Sequence, residues 1–128
     1  MFDPWEIIHE TPQLSVHVTR LEGMAGCTDG RGRIWLDDRL TEIEKRCALT
    51  HELLHILRRH DGHQDDAAEA QIREETARVL VPMAALQEHA GEQISLWALA
   101  EDLHVTEAVL RDRLNTASAG EWEVLRVA

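Results

Sequence analysis

The stretch Thr41-Glu42-Ile43-Glu44-Lys45-Arg46-Cys47-Ala48-Leu49-Thr50-His51-Glu52-Leu53-Leu54-His55-Ile56-Leu57-Arg58-Arg59 decides how the rest of the chain is read. Thr41 and Glu44 form a Thr-x-x-Glu capping box, which marks a helix start. Ile43, Cys47, Thr50 and Leu54 recur at helical spacing, and so do Leu49, Leu53, Ile56 and Leu57. The pattern predicts a helix over about residues 41–59 with a broad apolar face. Into that face the sequence sets His51, Glu52 and His55. Four residues advance about 400° around a helix, so His51 and His55 share one face, one turn apart. Two imidazole nitrogens at that spacing suit a tetrahedral zinc ion. Glu52 lies beside them, where it can serve as a general base without ligating the metal. A solvated polar stripe is the plainer reading of these residues. The surrounding leucines leave little room for one, and a carboxylate buried without a partner is costly.

Outward from this helix, the amino-terminal side reads as a small sheet. Asp3-Pro4 opens a short helix through His9, with Asp3 as N-cap and Pro4 at the first helical position. Leu14, Val16 and Val18 alternate with Ser15, His17 and Thr19, as in a half-buried strand. Short strands follow near residues 24–28 and 33–36. They are joined by Asp29-Gly30-Arg31-Gly32, a sequence suited to a hairpin turn, and Asp37-Asp38 closes the sheet. On the carboxyl side, Asp61-Gly62 breaks the central helix. A second helix runs over about 65–81 to Pro82, and shorter helices follow at about 83–90, 95–103 and 106–117, with Gly91 and Gly120 as punctuation. The architecture expected is α+β.

A catalytic zinc takes three protein ligands and keeps one position open. Glu69 is the third ligand favoured by the second helix, because it shares a stripe with Ile72, Thr76 and Leu80. An acid on an inward face needs a partner there. Glu75 flanks the stripe and is the alternative, though Arg73, Arg78 or another base could pair with it. Asp65 reads better as an N-cap. Asp61 would be the ligand in a metzincin pattern, which needs glycine where Arg58 stands. Glu74 points away as a surface charge. His60 and His63 are near enough to contact substrate or an oxyanion, although solvated loop histidines are the plainer reading. The chain has no tyrosine, so an oxyanion donor must be a histidine, an arginine or a backbone amide.

The formal net charge of −11 argues against broad phosphate binding and against an anionic membrane surface. Residues 99–110 have helix-turn-helix cadence, with Thr106 as cap. The recognition positions hold Glu107, Arg111, Asp112 and Arg113, so a helical pair packed on the core is the better reading and no direct nucleic-acid binding is expected. No apolar run approaches the ~20 residues of a membrane span, and the opening residues show no leader, so a cytoplasmic location is expected. Cys27 and Cys47 fall in a strand and a helix, with no Cys-x-x-Cys pair to suggest a metal site. Trp5, Trp35, Trp97 and Trp122 read as core or rim residues.

Taken together, these residues make the chain resemble the ImmA/IrrE family of metallopeptidases, in particular short forms from actinobacteria and their phages. The resemblance runs from Asp3-Pro4-Trp5 through Thr28-Asp29-Gly30 and Ile34-Trp35-Leu36-Asp37. It is strongest over Glu44 to His55, then takes in Glu69, Glu74 to Pro82, and Leu99 to Leu114. It implies a gluzincin-like fold: a small N-terminal antiparallel β-sheet packed on a helical body that carries the His-Glu-x-x-His zinc helix. It implies one domain over 1–128, with helix and sheet in 1–38, zinc-binding helices in 39–82 and closing helices in 83–128. The family's ligands correspond to His51, His55 and a glutamate that, counted back from Pro82, falls on Glu69. Glu52 is then the catalytic base and Zn2+ the cofactor. The implied activity is endoproteolysis of a phage or mobile-element repressor or another DNA-binding regulator. The alternative is a catalytically silent protein-binding module of the same fold, acting on a regulator or toxin partner. The chain departs from many members at Ile72-Arg73, Glu75 and Thr76-Ala77, where they have a small residue and asparagine, an aromatic, and two small residues.

Overall fold

The computed structural model describes residues 1–60 and 64–127. The expected break at Asp61-Gly62 falls outside the described residues. Seven helices and three strands follow one another as α1 (Pro4–Glu10), β1 (Ser15–Thr19), β2 (Gly26–Thr28), β3 (Arg33–Asp37), α2 (Glu42–Leu57), α3 (Asp66–Leu80), α4 (Met83–Glu88), α5 (Leu96–Leu103), α6 (Glu107–Asn115) and α7 (Ala119–Val127). The class is α+β, as the sequence indicates.

The capping residues named from the sequence hold their ends. Asp3 accepts from the Trp5 amide, and Asp65 accepts from the Ala68 amide. Thr106 accepts from the Val109 amide. At α2, Thr41 accepts from the Glu44 amide while Glu44 accepts from the Thr41 amide. That helix ends at Leu57 with Arg58 as C-cap, and the next residue, Arg59, is a non-glycine with φ of 59°. The amides of Arg59 and His60 turn back to the carbonyls of Ile56 and His55, the two bonds of a Schellman end. His60 is thereby folded under the last turn of α2.

The sheet is mixed, not antiparallel, with strand order β1-β3-β2. β2 and β3 form the expected antiparallel hairpin. β1 pairs with β3 in parallel, from Ser15 beside Arg33 to Thr19 beside Asp37. Parallel neighbours need a crossover of a dozen or more residues. Here residues 20–32, which include β2, supply it and push β2 to the edge. Gly32 anchors the start of this pairing, with φ of 112°. Its carbonyl accepts from the Ser15 amide, and a Cβ in its place would collide with the carbonyl oxygen of Gln13.

Two cores share α2 as a wall. On one side Ile34, Leu36 and Leu49 pack with Trp5, Ile8, Val16 and Leu53. On the other, Cys47 joins Leu80, Val81, Leu86, Leu103 and Leu110. The alternation in β1 is only partly realised: Val16 packs inward, but Val18 is exposed, and on the outer face His17 stacks on Trp35. Trp97 is 64% exposed and Trp122 39%, so neither is a core residue. Both cysteines are free. α5 and α6 pack together and α6 packs on α3. α7 lies beyond the helices expected from the sequence. Its start is tied by Ser118 and Glu121, each accepting from the other's amide. Among the described residues, no helix is long and apolar enough to cross a membrane.

Candidate functional site

With ~100° between successive residues, α2 has three faces. Cys47 looks into the helical core, and Thr50 and Leu54 are buried on the same side of the helix. Leu49, Leu53 and Ile56 look toward the sheet. The third face, between them, carries Ala48, His51, Glu52 and His55. α3 lies against α2 and brings Glu69 opposite that face.

The His51 and His55 Nε2 atoms are 3.2 Å apart. Glu69 Oε2 lies 3.3 Å from His51 Nε2, and Glu69 Oε1 lies 3.2 Å from His55 Nε2. One ligand atom from each residue falls within 4.8 Å of the others, the arrangement that could hold a metal ion. A tetrahedral ion with bonds of ~2.0–2.1 Å would set its ligands ~3.3 Å apart, which the Nε2–Nε2 separation and the distance from each ring to its nearer Glu69 oxygen approach. The donor chemistry also suits a borderline ion such as zinc, with two imidazoles and one carboxylate.

The electrostatics favour the forms that ligands need. Burial, and then the neighbouring His55, pulls the His51 pKa down, which keeps its ring neutral. His55 is buried, and its Nδ1 lies 3.0 Å from Nδ1 of His60. When His55 donates from Nδ1, its Nε2 presents a lone pair to the site. His60 therefore stands behind His55, half-buried, and is not a solvated loop residue. The Schellman turn is the physical cause. Glu52 is 8% exposed. Burial, and then the charge of Glu69, raises its pKa to about 7. A carboxylate so tuned is suited to exchanging protons near neutrality.

The alternatives to Glu69 are engaged elsewhere. Glu75 accepts from Nε and Nη2 of Arg58 at 3.0 and 2.9 Å, and Asp65 caps α3. Glu74 pairs with Arg78. Asp61 and His63 lie outside the described residues.

A cleft opens onto this group. One half, about 380 Å3, is lined by Met24, Gly26, Cys27 and Thr28 of the β2 segment and by His51, Glu52, His55 and Glu69. The other half, of similar volume, shares Gly26, His51 and Glu52 and extends between α2, α3 and α6. Gly26 lets the edge strand pass over the base: a Cβ there would sit 3.1 Å from the Trp35 carbonyl oxygen and 3.5 Å from Glu52 Cγ.

Three neighbours of the site escaped the sequence reading. Gly26 is one. Cys27 is another; burial and then the charge of Glu52 push its thiol pKa up. The third is Arg73, which lines the second half of the cleft and whose charge reaches His51. Among the described residues it is the only arginine or lysine lining either half. Arg73 lies one turn after Glu69 on α3, beside the stripe of Ile72, Thr76 and Leu80, and that spacing was the signal available for it.

A family model, the IrrE N-terminal-like domain of the peptidases, matches residues 10–115 of the 128. None of the curated proteins compared matches the chain, and none of the solved structures does.

Proposed function

The chain belongs to the IrrE N-terminal-like (ImmA/IrrE) family of peptidases, and from that premise we propose that it is a zinc-dependent endopeptidase. The observation that carries the reading is the convergence of His51 Nε2, His55 Nε2 and the Glu69 carboxylate at 3.2–3.3 Å from one another. These three side chains would hold the ion. A zinc ion held by these residues would supply Lewis acidity, lowering the pKa of a bound water. Glu52 takes the proton of the attacking water on its carboxylate and returns it to the leaving amine. Arg73 is the proposed donor to the developing oxyanion, since among the described residues it is the only arginine or lysine lining the cleft and the chain lacks tyrosine. The outer edge of β2 runs along the cleft and offers backbone groups to an extended peptide, which suits cleavage within a chain.

The proposed substrate is a DNA-binding regulator, such as a phage or mobile-element repressor. The family resemblance supports this, and a net charge of −11 suits encounter with a basic protein.

Elemental analysis of the purified chain, together with hydrolysis of a casein-derived peptide mixture, tests the proposal. One zinc per chain is expected. His51→Ala and Glu69→Ala should lose at least ~10-fold in zinc affinity. Glu52→Gln should keep the metal and lose hydrolysis by ~10²-fold or more. Hydrolysis that persists in zinc-loaded Glu52→Gln would remove the assigned base.

A further inference from the structure

The half of the cleft beyond Glu52 has its own chemistry. Its walls are Leu40, Cys47, Ala48, Thr76, Ala108 and Val109, contributed from the end of the sheet, α2, α3 and α6. The hydroxyl of Thr76 is spent inside α3, donating to the Ile72 carbonyl at 2.7 Å. Thr106, at the same wall, has its hydroxyl oxygen accepting from the Val109 amide. Glu44, at the rim, is held by the Thr41 amide. Cys47 is 7% exposed, and burial keeps its thiol protonated. Arg73, exposed, and Asp112, half-buried, also line this half, whereas its buried wall, apart from Glu52, is Cys47 and the spent Thr76, so the interior is largely apolar. A charged side chain placed against that buried wall would lose its hydration there, whereas an aliphatic one would be buried favourably. The chamber also abuts the reacting position, since it shares His51 and Glu52 with the metal-site half.

We propose that this chamber receives the side chain of the substrate residue next to the scissile bond and selects an uncharged aliphatic one of leucine or isoleucine size. The proposal rests on the zinc-peptidase reading for its catalytic consequence, but the recognition it describes belongs to the chamber alone. Ala108 controls the entrance. It is exposed in the first turn of α6, so a larger residue there narrows the opening without disturbing a core.

Two measurements test this. The first profiles cleavage of a randomised peptide mixture by the zinc-loaded chain and by Ala108→Trp. Cleavage beside leucine or isoleucine should exceed cleavage beside alanine by about tenfold or more in kcat/KM, and beside aspartate by more. In Ala108→Trp the leucine-to-alanine ratio should fall about tenfold. The second follows the backbone amide resonances of Ala48, Ala108 and Val109 during titration with N-acetyl-leucine N-methylamide or N-acetyl-aspartate N-methylamide, with and without zinc. The leucine probe should shift them in both states and the aspartate probe should not. Leucine-specific shifts without any peptide cleavage would sustain the chamber and sink the peptidase reading. Cleavage that is indifferent to the adjacent side chain, that favours charged ones, or that keeps its leucine-to-alanine ratio in Ala108→Trp would overturn the chamber and leave the peptidase standing. Absence of both shifts and cleavage would overturn both.

Discussion

At the scale of single residues, Glu52 is where folding and proposed chemistry conflict most directly. A carboxylate 8% exposed and close to Glu69 is raised from 4.5 to about 7 by burial first and by that neighbour second. A pKa raised on folding means that the folded chain holds a proton the unfolded chain has released. The contribution to stability is present in full below about pH 4.5 and is lost as pH rises through 7. The shift corresponds to about 3 kcal/mol. Chelator-treated wild-type chain should therefore lose stability between pH 5 and pH 8 relative to Glu52→Gln, whose amide carries no charge. At pH 8 the variant should be the more stable of the two by up to ~3 kcal/mol in urea unfolding. Parallel stability–pH curves would show that Glu52 is not buried as a titrating group. The same residue explains why this part of the site was legible in the sequence: histidines and a glutamate in an apolar helical run conflict with packing unless they share a task. Glu69 was legible by the same logic on α3. Gly26 and Cys27 were not, because nothing in β2 states that its edge will lie over α2. His60 was misjudged because a Schellman end at Arg59, a position where glycine is usual, gave no sequence signal.

At the scale of elements, α2 carries the design. Its three faces serve the sheet, the helical core and the site, so its placement fixes all three. The start of that helix is about two and a half turns from His51, and its capping box satisfies backbone donors reciprocally. Thr41→Ala should cost about 1 kcal/mol of stability, measured by urea unfolding, while zinc affinity stays within about twofold of wild type. A large loss of affinity would mean that the helix end and the site are coupled more tightly than the separate faces suggest. The helices were readable because their periodicity and caps are local. The sheet was readable only in part: alternation in residues 14–19 identifies a strand and an inner side, but neither states which neighbour it takes nor in which direction. The parallel pairing of β1 with β3 depends on the crossover through residues 20–32. α7 did carry a local signal, the Ser-x-x-Glu of Ser118 and Glu121, which the glycine at 120 obscured.

At the scale of the molecule, the helical body is closed by a small ionic clamp behind the cleft. Arg113, 2% exposed, donates from Nε to the Val81 carbonyl at 2.8 Å and from Nη2 to Glu121 at 2.6 Å. Arg78 donates to the same carboxylate at 3.1 Å and to the Thr116 carbonyl at 2.6 Å. One glutamate on α7 thus ties α3, the end of that helix and α6 together, while α6 walls the proposed specificity chamber. The clamp is distant in role from metal binding but not from the shape of the cleft. Arg113, then the Ser118 amide and Arg78, hold the Glu121 carboxyl down at about 2. Its contribution is therefore present above the unfolded value of 4.5 and is lost as pH falls through about 2. Removing the carboxylate leaves a buried guanidinium short of its anion, the costly half of a broken ion pair. Glu121→Gln should lower the melting temperature at pH 7 by several degrees, increase amide exchange along α7, and lessen the difference between pH 7 and pH 3. Zinc stoichiometry should be unchanged, because His51, His55 and Glu69 lie on α2 and α3. The leucine preference of the chamber should weaken if α6 loosens. An unchanged melting temperature at pH 7 would show that α7 is held by its apolar contacts alone, and the clamp would then have no part in shaping the cleft.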